Sequence, residues 1–245
     1  MRQRFRLGMK FATTENWTIA AGLATGGSDS TSTNDTWSDG AFFETGDIRL
    51  DYAYSEHNLN NFTFIAGQQK NPFQTTWALW DGDVRPAGFT GMMDLKPIFI
   101  TAGWYDVYYA DKDMAQMEAI RCANLDMATA ALAFYNFHND AKEIMSANLE
   151  DFNVDNLDAD YNWQIIDFYL AADIKTDAAK ISPHLQVFYN MGAEGEEGQS
   201  IQGGDLDPEE ENMGYLVGVS ASIAKFKIGV DYASIADACV PVKRQ

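Results

Sequence analysis

Arg2, Arg4, Arg6 and Lys10 stand an even number of residues apart at the start of the chain, and Asp47, Arg49 and Asp51 repeat the two-residue spacing with alternating sign. Side chains two apart on an extended strand share one face. Two such charged faces set opposite each other impose a transverse field on the water between them. A field of that kind orders water and sorts solutes by charge and dipole. The same residues can instead pair with one another and merely tie a wall together. Spacing alone favours neither reading.

Strands must position these groups, and the alternation recurs along the chain. Phe5, Leu7, Met9 and Phe11 interleave with the first cations. Trp17, Ile19, Ala21 and Leu23 form one face of a second strand, after a polar turn at Thr13–Asn16. A third strand sets Ile48, Leu50, Tyr52 and Tyr54 against Asp47, Arg49, Asp51 and Ala53. Residues 62–70 form a fourth, whose mixed parity calls for a bulge. Later strands hold Leu185, Val187, Tyr189 and Met191 opposite His184, Gln186, Phe188 and Asn190, and Phe226, Ile228, Val230 and Tyr232 opposite Lys225, Lys227, Gly229 and Asp231. About a dozen strands are expected. Residues 114–131, rich in Ala, Met and Glu, read as two strands joined near Asn124–Asp126, the alternative being an amphipathic helix, and 141–149 as a short helix inside a loop. Connections alternate between short (13–16, 57–61, 175–179, 224) and long (25–46, 71–85, 139–161, 193–212). Short turns at one rim and long loops at the other is the layout of a membrane-spanning up-and-down β-barrel.

Composition narrows the possibilities. The chain has 245 residues and a formal net charge of -19, a field that repels nucleic acid. No run approaches the roughly 18 apolar residues of a transmembrane helix, which leaves alternating barrel strands open. Two cysteines, Cys122 and Cys239, make no disulfide framework, though one bridge remains open. The first residues lack the unbroken apolar stretch of a secretory signal. Aromatic residues make up 13% of the chain. They cluster as Tyr52/Tyr54, Trp104/Tyr105, Tyr108/Tyr109, Phe134/Tyr135/Phe137 and Phe168/Tyr169, and read as girdles at the membrane interfaces. The alternative is a soluble or surface-exposed β-protein that binds a glycan or another ligand through those aromatics.

Five stretches then fall in a familiar order: RFRLGMKFATTENWTIAAGLATGG from Arg4, TSTNDTWSD from Thr31, DIRLDYAY from Asp47, AGQQKNPF from Ala66 and WDGDVRPAG from Trp80. They resemble the bacterial "putative porin" family of outer-membrane β-barrels, densely over the first 90 or so residues and more weakly through 162–192 and 214–237. The resemblance implies an all-β, transmembrane, antiparallel up-and-down barrel over residues 1–237, with 238–245 a tail of unclear structure. It implies passive diffusion of small hydrophilic solutes or ions through the bacterial outer membrane, with lipid as the other partner, a possible homo-oligomer and no nucleic acid. Gln68 stands where the family often has lysine, and Ala87 where it often has an acid. Members continue with further strands beyond the position of Ile235, so the chain is read as short at both ends.

On that reading Arg2, Arg4, Arg6, Lys10, Asp47, Arg49 and Asp51 line the pore. Lys70, Asn71, Trp80, Asp81, Asp83 and Arg85 bracket a segment that folds inward and narrows it, the alternative being an ordinary external loop. No enzyme and no cofactor are expected. His57, His138 and His184 lack metal-ligand spacing, and no nucleophile elbow, phosphate loop or dinucleotide fingerprint occurs. The acidic loop at 194–211 and the trio Asp155/Asp158/Asp160 offer carboxylates to calcium, but a solvated, self-repelling loop explains them better.

Overall fold

A computed structural model describes residues 2–27, 32–36, 46–106, 109–110, 113–114, 124–125, 128–137, 164–193, 198–199, 205–206, 212–236 and 239. Among them are eleven long antiparallel strands: β1 (Arg6–Ala12), β2 (Trp17–Thr25), β3 (Ile48–Leu59), β4 (Phe62–Gln68), β5 (Ala87–Leu95), β6 (Ile98–Asp106), β7 (Ala128–Asn136), β8 (Gln164–Ala172), β9 (Lys180–Asn190), β10 (Met213–Ile223) and β11 (Phe226–Ile235). Strands β1 to β6 form one sheet and β7 to β11 another, each in sequence order. The two sheets are not joined into a closed ring among the described residues, and β1 and β11 are edges. The Asn124–Leu125 pair lies antiparallel against Ala128–Thr129. The expected helix at 141–149 and the acidic groups at 155–160 lie outside the described residues.

Short turns join the strands at one rim. Leu59 pairs with Phe62 and Ile223 with Phe226, and the first residue of each two-residue turn, Asn60 (φ 53°) and Ala224 (φ 51°), is left-handed. Such backbones match the twist of the strands they connect.

The outer faces are oily. Leu7, Met9 and Phe11 on β1, Ile19 and Leu23 on β2, and Ile228, Val230 and Tyr232 on β11 are all exposed. Rows of this kind across successive strands suit hydrocarbon and not water.

Two expectations about facing are corrected. On β3 the alternation breaks: Gly22 pairs with Tyr52 but its neighbour Leu23 pairs with Leu50, so Asp51 is an inserted residue. The bulge sits here and not in β4, whose register is regular. One inserted residue reverses every later side chain. Ile48 and Leu50 therefore face out, while Tyr52 lies over Gly8 and Gly22 on the inner face. The aromatic clusters also divide. Trp104 is exposed outside while Tyr105 is fully buried inside; Phe168 faces out, and Tyr135 and Phe137 are buried in the interior. Consecutive strand residues point to opposite faces, so an adjacent aromatic pair cannot lie wholly in an interfacial girdle.

Candidate functional site

The interior is crossed by residues 69–86, between β4 and β5. The two ends of this segment meet: the Gln69 amide donates to the Pro86 carbonyl at 3.0 Å. Local hydrogen bonds shape what lies between. Asn71 Oδ1 accepts from the Phe73 amide at 3.0 Å, Asp81 Oδ1 from the Asp83 amide at 2.7 Å, and the Thr76 carbonyl from the amides of Leu79 and Trp80. A loop with adjoining ends and its own internal bonds is a compact unit, not a loose strap.

One side of the segment is apolar and buried. Phe73, Ala78, Leu79 and Trp80 are buried with Tyr105, Tyr135, Phe137, Phe188 and Leu216. Phe73 meets Tyr105 of the first sheet and Tyr135 of the second edge-on, with ring centroids 6.0 and 5.8 Å apart. Edge-to-face pairs of that spacing are favourable. Cys239, in the expected tail, is also buried in this cluster, and its thiol donates to the Ala236 carbonyl at 2.7 Å. One polar attachment to the second sheet runs through Gln186. Its Oε1 accepts from the Thr76 amide at 3.0 Å and from the Thr76 hydroxyl, and its Nε2 donates to Thr75 Oγ1 at 2.9 Å and Asp167 Oδ1 at 2.8 Å.

The other side is charged. Asp83 accepts from Arg6, lies 3.2 Å from Arg4 Nη2, and receives the Thr33 amide and hydroxyl at 3.1 Å each. Partial burial opposes ionisation of this carboxyl, but the Arg6 hydrogen bond and the Thr33 amide outweigh it and hold its pKa below the usual aspartate value. Arg85 Nε lies 3.1 Å from Asp51 Oδ1, an ion pair without hydrogen-bond alignment, and each side chain is only 4% exposed. Arg6 Nε approaches the same carboxylate at 3.9 Å. Three arginines thus face two aspartates, and Arg4, 46% exposed, presents the surplus charge to water. Further along the wall Lys10 pairs with Glu56 at 3.0 Å.

Of the residues singled out in the sequence, Arg4, Arg6, Asp51, Asp83 and Arg85 converge. Lys10 sits apart with Glu56. Arg2 lies in a short pairing with Thr36, the exposed Asp47 holds the Gly26 amide through its carbonyl, and Arg49 donates to the Gly27 carbonyl at 3.1 Å; all three are at the rim of the long connections. Lys70 and Asn71 border a cavity of about 370 Å³ with Tyr52, Tyr54 and Met92. Trp80 is packed in the apolar cluster, and Asp81 shapes the segment's own turn. Sequence reasoning missed Thr33, Thr75, Thr76, Asp167 and Gln186. The signal for Asp167 and Gln186 was a polar residue at an inner position of a strand; the threonines carried none. The acidic groups at 194–197 and 207–211 lie outside the described residues. Among the described residues no three His, Cys, Asp or Glu side chains gather as metal ligands.

The family described as "Putative porin" matches residues 1–170. Among solved structures, the chain is similar to a mutant porin of Rh. blastica, at 15% identity and a TM-score of 0.48, covering 97% of this chain and 86% of that one. It is similar to Pseudomonas aeruginosa OpdK with vanillate, at 13% identity and 0.49, covering 95% of this chain and 61% of that one. It is also similar to the anion-selective porin from Comamonas acidovorans, at 13% identity and 0.47, covering 94% and 67%. No curated protein matches it.

Proposed function

Because this chain belongs to the "putative porin" family and is an outer-membrane channel, we propose that small hydrophilic solutes and ions pass by diffusion along the inner wall of the first sheet, beside the inward segment. The observation that carries this reading is the two-sidedness of that segment: its apolar side is buried against Tyr135, Phe188 and Leu216, while its charged side faces Arg4 and Arg6. Water and solutes follow polar walls, so the passage lies on the charged side.

Each residue then has a task. Asp83 and Arg85 fix the segment at a set distance from the wall, because their partners Arg6 and Asp51 lie on β1 and β3, either side of β2. Arg4 contributes the unbalanced positive charge, which favours anions over cations at this level. Tyr52 and Tyr54, with ring centroids 5.9 Å apart, and Lys70 line the next stretch. The oily rows outside meet lipid. Transport of this kind needs no chemical step, only a polar path and a narrow place.

The test is electrical. Refolded protein in a planar bilayer should give stepwise currents with a slight anion preference. Arg4→Glu combined with Arg6→Glu should move the reversal potential toward cations. Absence of any stepwise current overturns the channel; an unmoved reversal potential removes these arginines from the passage.

A further inference from the structure

A second polar cavity, of about 460 Å³, lies inside the second sheet between Trp77 and the rim of short turns. It is separate from the Arg6–Asp83 group, and its size is that of a small-molecule site. Trp77 borders it with an indole that is 53% exposed yet fixed in direction, since Nε1 donates to Asp231 at 3.1 Å. An oriented aromatic face in a polar chamber is a platform for a ring.

The charges around it are unevenly matched. Asp173 is engaged by Lys180 at 2.8 Å and by the Ser182 hydroxyl at 2.7 Å. Asp231 is engaged by His184 at 3.1 Å as well as by Trp77. That pair has room only because residue 218 is glycine: a Cβ there would lie 2.2 Å from Asp231 Oδ1 and 2.5 Å from His184 Nε2. Lys227 also borders the cavity, and among the described residues it has neither an ion pair nor a hydrogen bond. One ammonium is left for a ligand. The rest of the wall offers both acceptors and donors in Asp173, Ser182 and Ser220.

We infer that this cavity binds a hydroxylated ring bearing a single carboxylate, of which a hexuronic acid is the simplest example. The apolar face of the ring lies on Trp77, its hydroxyls meet Ser182, Ser220 and Asp173, and its carboxylate meets Lys227. The inference rests on the channel reading only for the ligand's way in; binding itself is independent of it.

Calorimetry on the refolded full chain in detergent micelles tests it, with D-glucuronate and D-glucose as probes. Glucuronate should bind at least about tenfold more tightly than glucose, the value of one charge-assisted contact. Lys227→Gln, on an exposed edge strand, should bring glucuronate down to the glucose level and leave glucose unchanged. Trp77→Ala should weaken both sugars and Trp77→Phe restore part of the loss. No heat with glucuronate, or unaltered glucuronate binding in Lys227→Gln, overturns the site. Protein that conducts but does not bind sinks the site alone; protein that binds but does not conduct sinks the channel alone.

Discussion

Asp83 accepts a hydrogen bond from Arg6, 77 residues earlier in the chain, and so ties the last turn of the inward segment to the first strand. Neither residue could hold that geometry alone. Arg6 is directed by its strand, and Asp83 by the turn that Asp81 closes.

The pH dependence of this tie follows from its chemistry. The folded carboxyl of Asp83 ionises below its ordinary value of 3.8. A depressed pKa stabilises the attachment above the ordinary value, and the stabilisation is lost as pH falls through the folded one. Single-channel currents should therefore be steady at neutral pH and become noisy only in strong acid. Asp83→Asn should show that noise at neutral pH, together with a stronger anion preference.

Gln186 holds the segment from the opposite side. Gln186→Leu strands the buried Asp167 carboxyl and the amide of Thr76. Leaving buried polar groups unpaired at this depth costs about 3 kcal/mol. Thermal unfolding in detergent should shift down accordingly, whereas Leu185→Ala, one residue away on the outer face, should shift it less.

Gly67 is conformationally required. Its φ is +121°, and a Cβ would lie 2.3 Å from the Ala53 carbonyl oxygen and 2.9 Å from the Tyr54 Cα. Both are backbone atoms and cannot swing aside. Gly67→Ala should lower stability by about 1–3 kcal/mol, read as the midpoint of denaturant unfolding in micelles.

Phe168 on β8 faces outward. Phe168→Arg should cost about 2–4 kcal/mol in a bilayer, because an arginine on the lipid face must leave hydrocarbon or drag water with it. The yield of insertion into lipid vesicles should fall, while the circular dichroism of the detergent-folded protein stays unchanged. A variant inserting as well as the parent would place that face away from lipid.

The strands were legible because alternation is a local signal. Leu7, Met9 and Phe11 against Arg6 and Lys10 could be read from seven residues, and the alternation of short turns and long connections from the spacing of such runs. The facing of Tyr52 was not legible, because the bulge at Asp51 arises from pairing with Gly22 and Leu23, which no local pattern records. The charged group was half legible. Arg4 and Arg6 stood out by their two-residue spacing, but their partner Asp83 arrives by a loop whose path depends on Phe73 finding Tyr105 and Tyr135. Gln186 lacked any charge to mark it, and its partners Thr75 and Thr76 are 111 and 110 residues away. Contacts that long are decided by the packing of whole sheets.

The inserted residue at Asp51 gives the third strand an upper half that turns carboxylate inward and a lower half that turns phenol rings inward. Along the proposed route a solute coming from the long-loop side meets ions before it meets aromatics. Two selective tests thus stand in series on one wall, the first reading charge and the second reading shape, and only molecules that satisfy the first are ever presented to the second.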